Sequence, residues 1–188
     1  VQTVTFGAVN TGVGLAADLQ LGLVERFRSL PMARSAVLAG RVLADMLRNL
    51  FVVILMVVVG FLVGFRVHTG VVPFLGAVAL MLLFGMALSW FMALIGLGTG
   101  NPEAAQAAAF PLLALLVFAS NAFVPTSTMP TWLQGYANHQ PVSATITAIR
   151  ALLNGGPTAG KVVTAVLWTL AFGAVFAVLA VRRYRKAT

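Results

Sequence analysis

Residues 71–97 read VVPFLGAVALMLLFGMALSWFMALIGL, without one charged side chain. A helix of about 20 mostly apolar residues crosses the hydrocarbon core of a bilayer, and this run is long enough to do so. The rest of the chain agrees with it. Of the 188 residues 60% are hydrophobic and 9% charged, against roughly 45–50% apolar residues in an ordinary soluble domain. Mean hydropathy is +0.99. A water-soluble fold of this length could not hide so much apolar surface, so the composition predicts an integral membrane protein.

Working outward, three more runs approach spanning length: Leu50 to Phe65, Ala104 to Val124 and Val162 to Val181. The first is short, but an apolar-periodic stretch precedes it and can extend it. Each run is bounded by charge, by Pro, or by Gly with Asn. The spans are therefore expected at 49–66, 71–97, 103–124 and 161–181. Residues 1–17 form a further apolar stretch with no basic region before it, unlike a secretory leader. They read as the tail of another span, with the numbering beginning inside a longer protein. The expected fold is all-α: one polytopic membrane helical bundle over 1–188, with four complete spans plus the end of a fifth.

Lys and Arg in short loops orient such a bundle. One side holds Arg26, Arg28, Arg34, Arg41, Arg48, Arg182, Arg183, Arg185 and Lys186, and the other holds Arg66, Arg150 and Lys161. Nine against three makes residues 18–48 and the 182–188 tail cytoplasmic and the 125–160 loop external. The net charge of +8 is thus a membrane signal and not one for nucleic acid. There is no cysteine, which excludes disulfides and thiolate metal sites.

In the segment LVERFRSLPMARSAVLAGRVLADMLRNL, Pro31 should end one short helix and let another begin near Ser35. Beyond it Arg34, Arg41 and Arg48 recur every seven residues, and Asp45 stands four after Arg41, at ion-pair spacing. This second helix reads as interfacial, its arginines reaching headgroups before the chain enters the membrane. Before Pro31, Glu25, Arg26, Phe27 and Arg28 suit either a solvated loop helix or a docking surface for a cytoplasmic partner. The external loop carries prolines at 125, 130 and 141, which predict helices over 131–138 and 142–153. Trp132 and Tyr136 are residue types of a membrane interface. The pair reads as a re-entrant or surface-lying helical hairpin.

One stretch imitates a nucleotide site. Residues 155–161, GGPTAGK, fit G-x-x-x-x-G-K. A phosphate loop, however, needs a buried strand before it, a helix after it, and Ser or Thr directly after the lysine to hold magnesium. Here a helix precedes, Val162 follows the lysine, and the site faces outside. The glycines and Pro157 turn the chain, and Lys161 anchors a helix end. No catalytic set, cofactor site or metal site is expected in this chain. His68 and His139 read as loop histidines without neighbouring carboxylates. The Asn101-Pro102-Glu103 sequence suits a helix start. Asn121 could line a path or bond to a neighbouring helix. Gly60 and Gly64 form a GxxxG pair, and Gly96, Gly98 and Gly100 cluster at a span end, where close packing or a flexible helix end is expected.

With these residues in view, the chain resembles the permease subunits of type 2 ABC exporters, above all the daunorubicin-resistance-like branch. The resemblance rests on LVERFRSLPMARSAVLAGRVLADMLRN, NPEAAQAAAFPLL, SNAFVPTSTMPTWLQGYANHQPVS, and AIRALLNGG ahead of the last span with its RRYRK tail, in the expected order. It implies a six-span permease lacking about its first third here, working as a dimer on two ATPase subunits that hold ATP and magnesium. It also implies that Leu23 to Pro31 is a coupling helix, with Leu23, Glu25, Arg26, Phe27, Arg28, Leu30 and Pro31 meeting the ATPase. The implied function is outward movement of a drug, lipid or glycan across the plasma membrane, with the C-terminus cytoplasmic. Substrate residues are not assigned. The alternatives are an ion-coupled secondary transporter, which calls for intramembrane acids or inverted repeats, and a membrane scaffold that transports nothing.

Overall fold

A computed structural model describes residues 1–21, 34–64, 66, 69–123, 129–155 and 157–187. Among them seven helices follow one another: α1 (Gln2–Gln20), α2 (Arg34–Leu62), α3 (Val71–Thr99), α4 (Pro102–Phe118), α5 (Thr131–His139), α6 (Pro141–Asn154) and α7 (Ala159–Ala187).

Local chemistry sets the helix limits. Gly100, at φ 61°, takes the left-handed conformation that ends α3, and its N–H donates to the Gly96 carbonyl. Two residues later α4 starts as expected, with Pro102 in its first turn and the Asn101 side chain accepting the Glu103 N–H at 2.8 Å. Pro130 and Pro141 open α5 and α6 within a residue of the expected starts.

Two expectations change. The interfacial helix and the first span are one element, because α2 runs unbroken from Arg34 to Leu62 with no proline or glycine pair to kink it. The third expected span, 103–124, is helical only to Phe118. Its 17 residues cover roughly 26 Å at 1.5 Å per residue, short of the approximately 30 Å hydrocarbon core. Among the described residues three helices are long and apolar enough to cross a membrane: Ala39–Leu62, Val71–Thr99 and Ala159–Tyr184. At Ala119 the chain turns away, and its carbonyl is taken by the Gln140 side chain at 2.7 Å instead of a further helical turn.

The uncharged α3 is the hub, and α1, α2, α4, α6 and α7 all pack on it. Helices α1 and α3 run parallel. Their backbones meet at Gly12 and Gly96, where a Cβ on Gly96 would stand 2.9 Å from the Gly12 carbonyl carbon and 3.0 Å from its Cα. Small residues at such a crossing gain packing that lipid cannot supply. Leu15 fits with Ala93, Leu97, Ala180 and Tyr184 at one end of the bundle, and Ala77, Leu80, Ala148, Ile149 and Ala165 fill the other. Between these, Ala8, Phe84, Leu88, Met92 and Leu113 form the middle. Gly64 of the Gly60–Gly64 pair lies beyond α2 at φ 98°, and among the described residues nothing stands within 4 Å of an added Cβ.

Of the hairpin, α6 buries Val142, Ser143, Thr145, Ile146, Ala148, Ile149 and Ala151 inside the bundle. Helix α5 stays outside, with Trp132 77% exposed and Tyr136 43%.

Candidate functional site

The residues expected to meet a partner, Leu23, Glu25, Arg26, Phe27, Arg28, Leu30 and Pro31, lie outside the described residues, as does His68. What is described are the two helices that bracket them. They run antiparallel and are held by a ladder of polar contacts. Nearest the 22–33 segment, Arg41 pairs with Asp18. One turn deeper the Thr11 hydroxyl donates to Asp45 Oδ2. Asp45 Oδ1 pairs with Arg48 Nη2 at 3.0 Å, and that nitrogen also donates to the Gly7 carbonyl at 2.8 Å. Last comes Asn49, 3% exposed, set between two glycines: a Cβ on Gly7 would lie 3.0 Å from Asn49 Oδ1, and one on Gly85 would lie 3.2 Å from Asn49 Nδ2.

The seven-residue spacing of Arg41 and Arg48 was legible, but its use differs from the expected one. Both guanidinium groups turn onto α1, where headgroup contact was expected. Asp45 pairs with Arg48, three residues on, and Arg41 takes Asp18 instead of Asp45. The reason lies on α1. Gly14 leaves the room for Arg41, since a Cβ there would overlap the guanidinium, and Gly7 leaves room for Asn49, the neighbour of Arg48. An arginine in a mostly apolar helix is costly unless it is paired, and α1 offers an acid and a bare carbonyl at the right heights. The signal that could have found the ladder is the i+7 pattern of α2 read against Gly7, Thr11, Gly14 and Asp18 of α1.

A second polar cluster joins the end of α4 to α6. The Asn121 backbone N–H donates to Ser143 Oγ at 3.1 Å, and its side-chain Nδ2 donates to Thr147 Oγ1 at 2.8 Å. Asn121 thus bonds to a neighbouring helix. His139 closes α5, its Nδ1 2.8 Å from the Gly135 carbonyl, so it is a helix-end residue and not a loop residue. Lys161 stands exposed in the first turn of α7 behind the Gly155 turn, at φ 86°, and Asn154 of α6. A helix and a turn precede it, so GGPTAGK lacks the strand of a phosphate loop. An apolar cleft of about 390 Å³ opens between α1, α2 and α3, lined by Val4, Val52, Val53, Met56, Phe74 and Met81 among others.

A family model described as ABC-2 type transporter matches residues 1–154. The chain belongs to the ABC-2 type transporter family. Relatives of this ABC-2 chain include a daunorubicin resistance ABC transporter permease protein, DrrB1, of Streptomyces coeruleorubidus. It is 37% identical over 187 residues, which are 98% of this chain and 65% of the relative. A probable doxorubicin resistance ABC transporter permease protein, DrrC, of Mycobacterium tuberculosis is 30% identical over 193 residues, covering 100% of this chain and 70% of its own length. DrrB of the same species, a doxorubicin resistance ABC transporter permease protein, is 33% identical over 155 residues, 80% of this chain and 52% of its own. The chain therefore spans between 52% and 70% of the length of these relatives. No solved structure matches.

Proposed function

We propose that this ABC-2 chain is the membrane-spanning permease of an ATP-driven exporter of hydrophobic or amphipathic compounds. In this reading it works in the plasma membrane with a second permease copy and a separate ABC ATPase, which binds ATP and magnesium and carries out hydrolysis. The C-terminus and residues 22–33 face the cytoplasm, and Glu25, Arg26, Phe27 and Arg28 are the ATPase contact.

The observation that carries the reading is the ladder between α1 and α2. The helices on either side of residues 22–33 are tied by Arg41 to Asp18, by Thr11 to Asp45, and by Arg48 to Gly7. A push on the connecting segment would therefore displace α1 and α2 together. Because α1 touches α3 backbone to backbone at Gly12 and Gly96, there is no compliant side chain at that crossing to absorb the movement. That is what a coupling element requires: a local force delivered to the centre of a packed bundle. An anchoring scaffold needs no such connection.

The test is affinity purification of the full-length parent from gently solubilised native membranes, with mass spectrometry of what accompanies it, repeated with Phe27→Ala/Arg28→Glu. A near-stoichiometric ATPase that disappears in the double variant is expected. An ATPase retained by the variant moves the contact elsewhere, and its absence under several detergents sinks the exporter reading.

A further inference from the structure

Where α4 ends and α6 begins, two side-chain carbonyl oxygens are enclosed without a donor among the described residues: Asn121 Oδ1 and Gln140 Oε1. Gln140 is 4% exposed. Its amide orientation is set by its other end, since Nε2 donates to the Ala119 carbonyl at 2.7 Å, so the oxygen is the free atom. The two residues share a neighbour: Ser143 Oγ lies 3.1 Å from the Asn121 backbone nitrogen and 3.4 Å from Gln140 Nε2. Buried acceptors in native proteins almost always have a donor, and one left bare is destabilising. In an apolar bundle that rule holds with more force, because bulk water cannot serve them.

Two enclosed acceptors flanking one hydroxyl define what they lack, which is an O–H or N–H group. The adjoining surface narrows the choice. An open cleft of about 310 Å³ is lined by Gln2, Thr3, Ala122, Ile146, Ile149 and Arg150 among others, and Ala122 and Ile146 are the chain neighbours of Asn121 and of Thr145 and Thr147. Arg150 puts a positive charge on that cleft and none of its lining residues is acidic, so a protonated amine is repelled and a neutral donor is not.

We propose that the α4–α6 junction is a binding site for a neutral hydroxyl donor, whose O–H groups are accepted by Asn121 Oδ1 and Gln140 Oε1. The donor is either an enclosed water or the hydroxyl of an uncharged amphiphile entering from the cleft. The site needs no ATPase, so the claim stands or falls apart from the exporter reading.

The test uses the full-length protein in lipid nanodiscs without nucleotide. The probes are an octanol carrying a photoreactive diazirine and its methyl ether, which differ by a single O–H. Adducts are mapped by mass spectrometry, and a cryo-EM map is obtained for the unmodified protein and for Asn121→Leu. Where an amphiphile's hydroxyl is the donor, the alcohol labels residues 119–123 or 140–147 roughly tenfold more than the ether, about the weight of one hydrogen bond. Asn121→Leu then reduces alcohol labelling to the ether's level. Where enclosed water is the donor, both probes label equally, and the map shows density at hydrogen-bonding distance from both oxygens that is lost in Asn121→Leu. Equal labelling with no such density overturns the proposal. If Asn121→Leu does not fold, the probe pair and the map of the unmodified protein still decide.

Discussion

A methyl group added at two positions two residues apart on α3 should have opposite effects. Gly96 and Gly98 both lie inside the helix, so replacing either with alanine gains about the same helix propensity, up to about 1 kcal/mol. Their surroundings differ. A Cβ at Gly96 would stand 2.9 Å and 3.0 Å from backbone atoms of Gly12 and closer still to the Gly12 carbonyl oxygen. Backbone cannot rotate aside, so α1 must move outward and the paired contacts along the crossing loosen. Overpacking of this kind costs about 1–3 kcal/mol. At Gly98 the nearest atoms belong to the Arg183 guanidinium at 3.6 Å, an ordinary contact at the tip of a long side chain. Gly98→Ala should therefore be neutral or slightly stabilising, and Gly96→Ala less stable than it by about 1–3 kcal/mol, the propensity gain cancelling between them. The assay is reversible unfolding of the full-length protein in mixed micelles, followed by far-ultraviolet circular dichroism. Equal stability of the two variants would refute the backbone crossing of α1 on α3, and with it the route by which the ladder reaches the bundle core.

Three further outcomes follow from the same contacts. Thr11→Val keeps the side-chain shape but removes the donor to Asp45, and should cost about 1.5–3 kcal/mol for a bond to a charged acceptor, read by the same unfolding assay; Thr99→Val, beside the α3 terminus, is the comparison. Exchanging the charges of Arg41 and Asp18 should weaken the protein as either single variant and recover in the double variant, with a coupling of about 0.5–1 kcal/mol because both side chains are partly solvated; a double-mutant cycle with no coupling energy would remove that rung. Lys161→Ala should leave binding of a fluorescent ATP analogue to the isolated permease at the level of the unmodified chain, since Val162 and the preceding helix cannot form a phosphate loop.

Much of the architecture is legible where neighbours in sequence decide it. Residues 71–97 carry no charge, so no arrangement but a buried or lipid-covered helix suits them. Asn101, Pro102 and Glu103 begin α4 by contacts no more than two residues apart, and the prolines at 130 and 141 start α5 and α6 in the same local way. The departures come where a distant residue decides. Ser120 and Asn121 follow soon after Phe118, and Ser120 donates to the Val117 carbonyl and accepts the Ala122 N–H at 3.1 Å. The other half of the stop is distant: Gln140, 21 residues beyond Ala119, takes the Ala119 carbonyl. The partners of Arg41 and Arg48 are likewise hidden, because the choice between headgroup, Asp45 and α1 turns on what α1 presents: Asp18 beside the missing side chain of Gly14 for Arg41, and the Gly7 carbonyl for Arg48. Spacing places charges on a helix face; only the facing helix says which of them are answered.

Between α3 and α4 there are two residues, Gly100 and Asn101, and both are committed, one to a left-handed turn and one to a cap. Two residues span at most about 7 Å when fully extended, and here they are folded back. Helix α4 therefore has no slack with which to slide along its own axis by a turn, about 5.4 Å, while α3 stays still. It can swing about Gly100 as a door swings on a hinge pin, or the two can travel together, but it cannot act as a piston. A stroke that reaches α3 at the Gly12 crossing is thus handed to α4 either whole, as a shared displacement, or as rotation, and in rotation its far end, at Phe118, sweeps the widest arc.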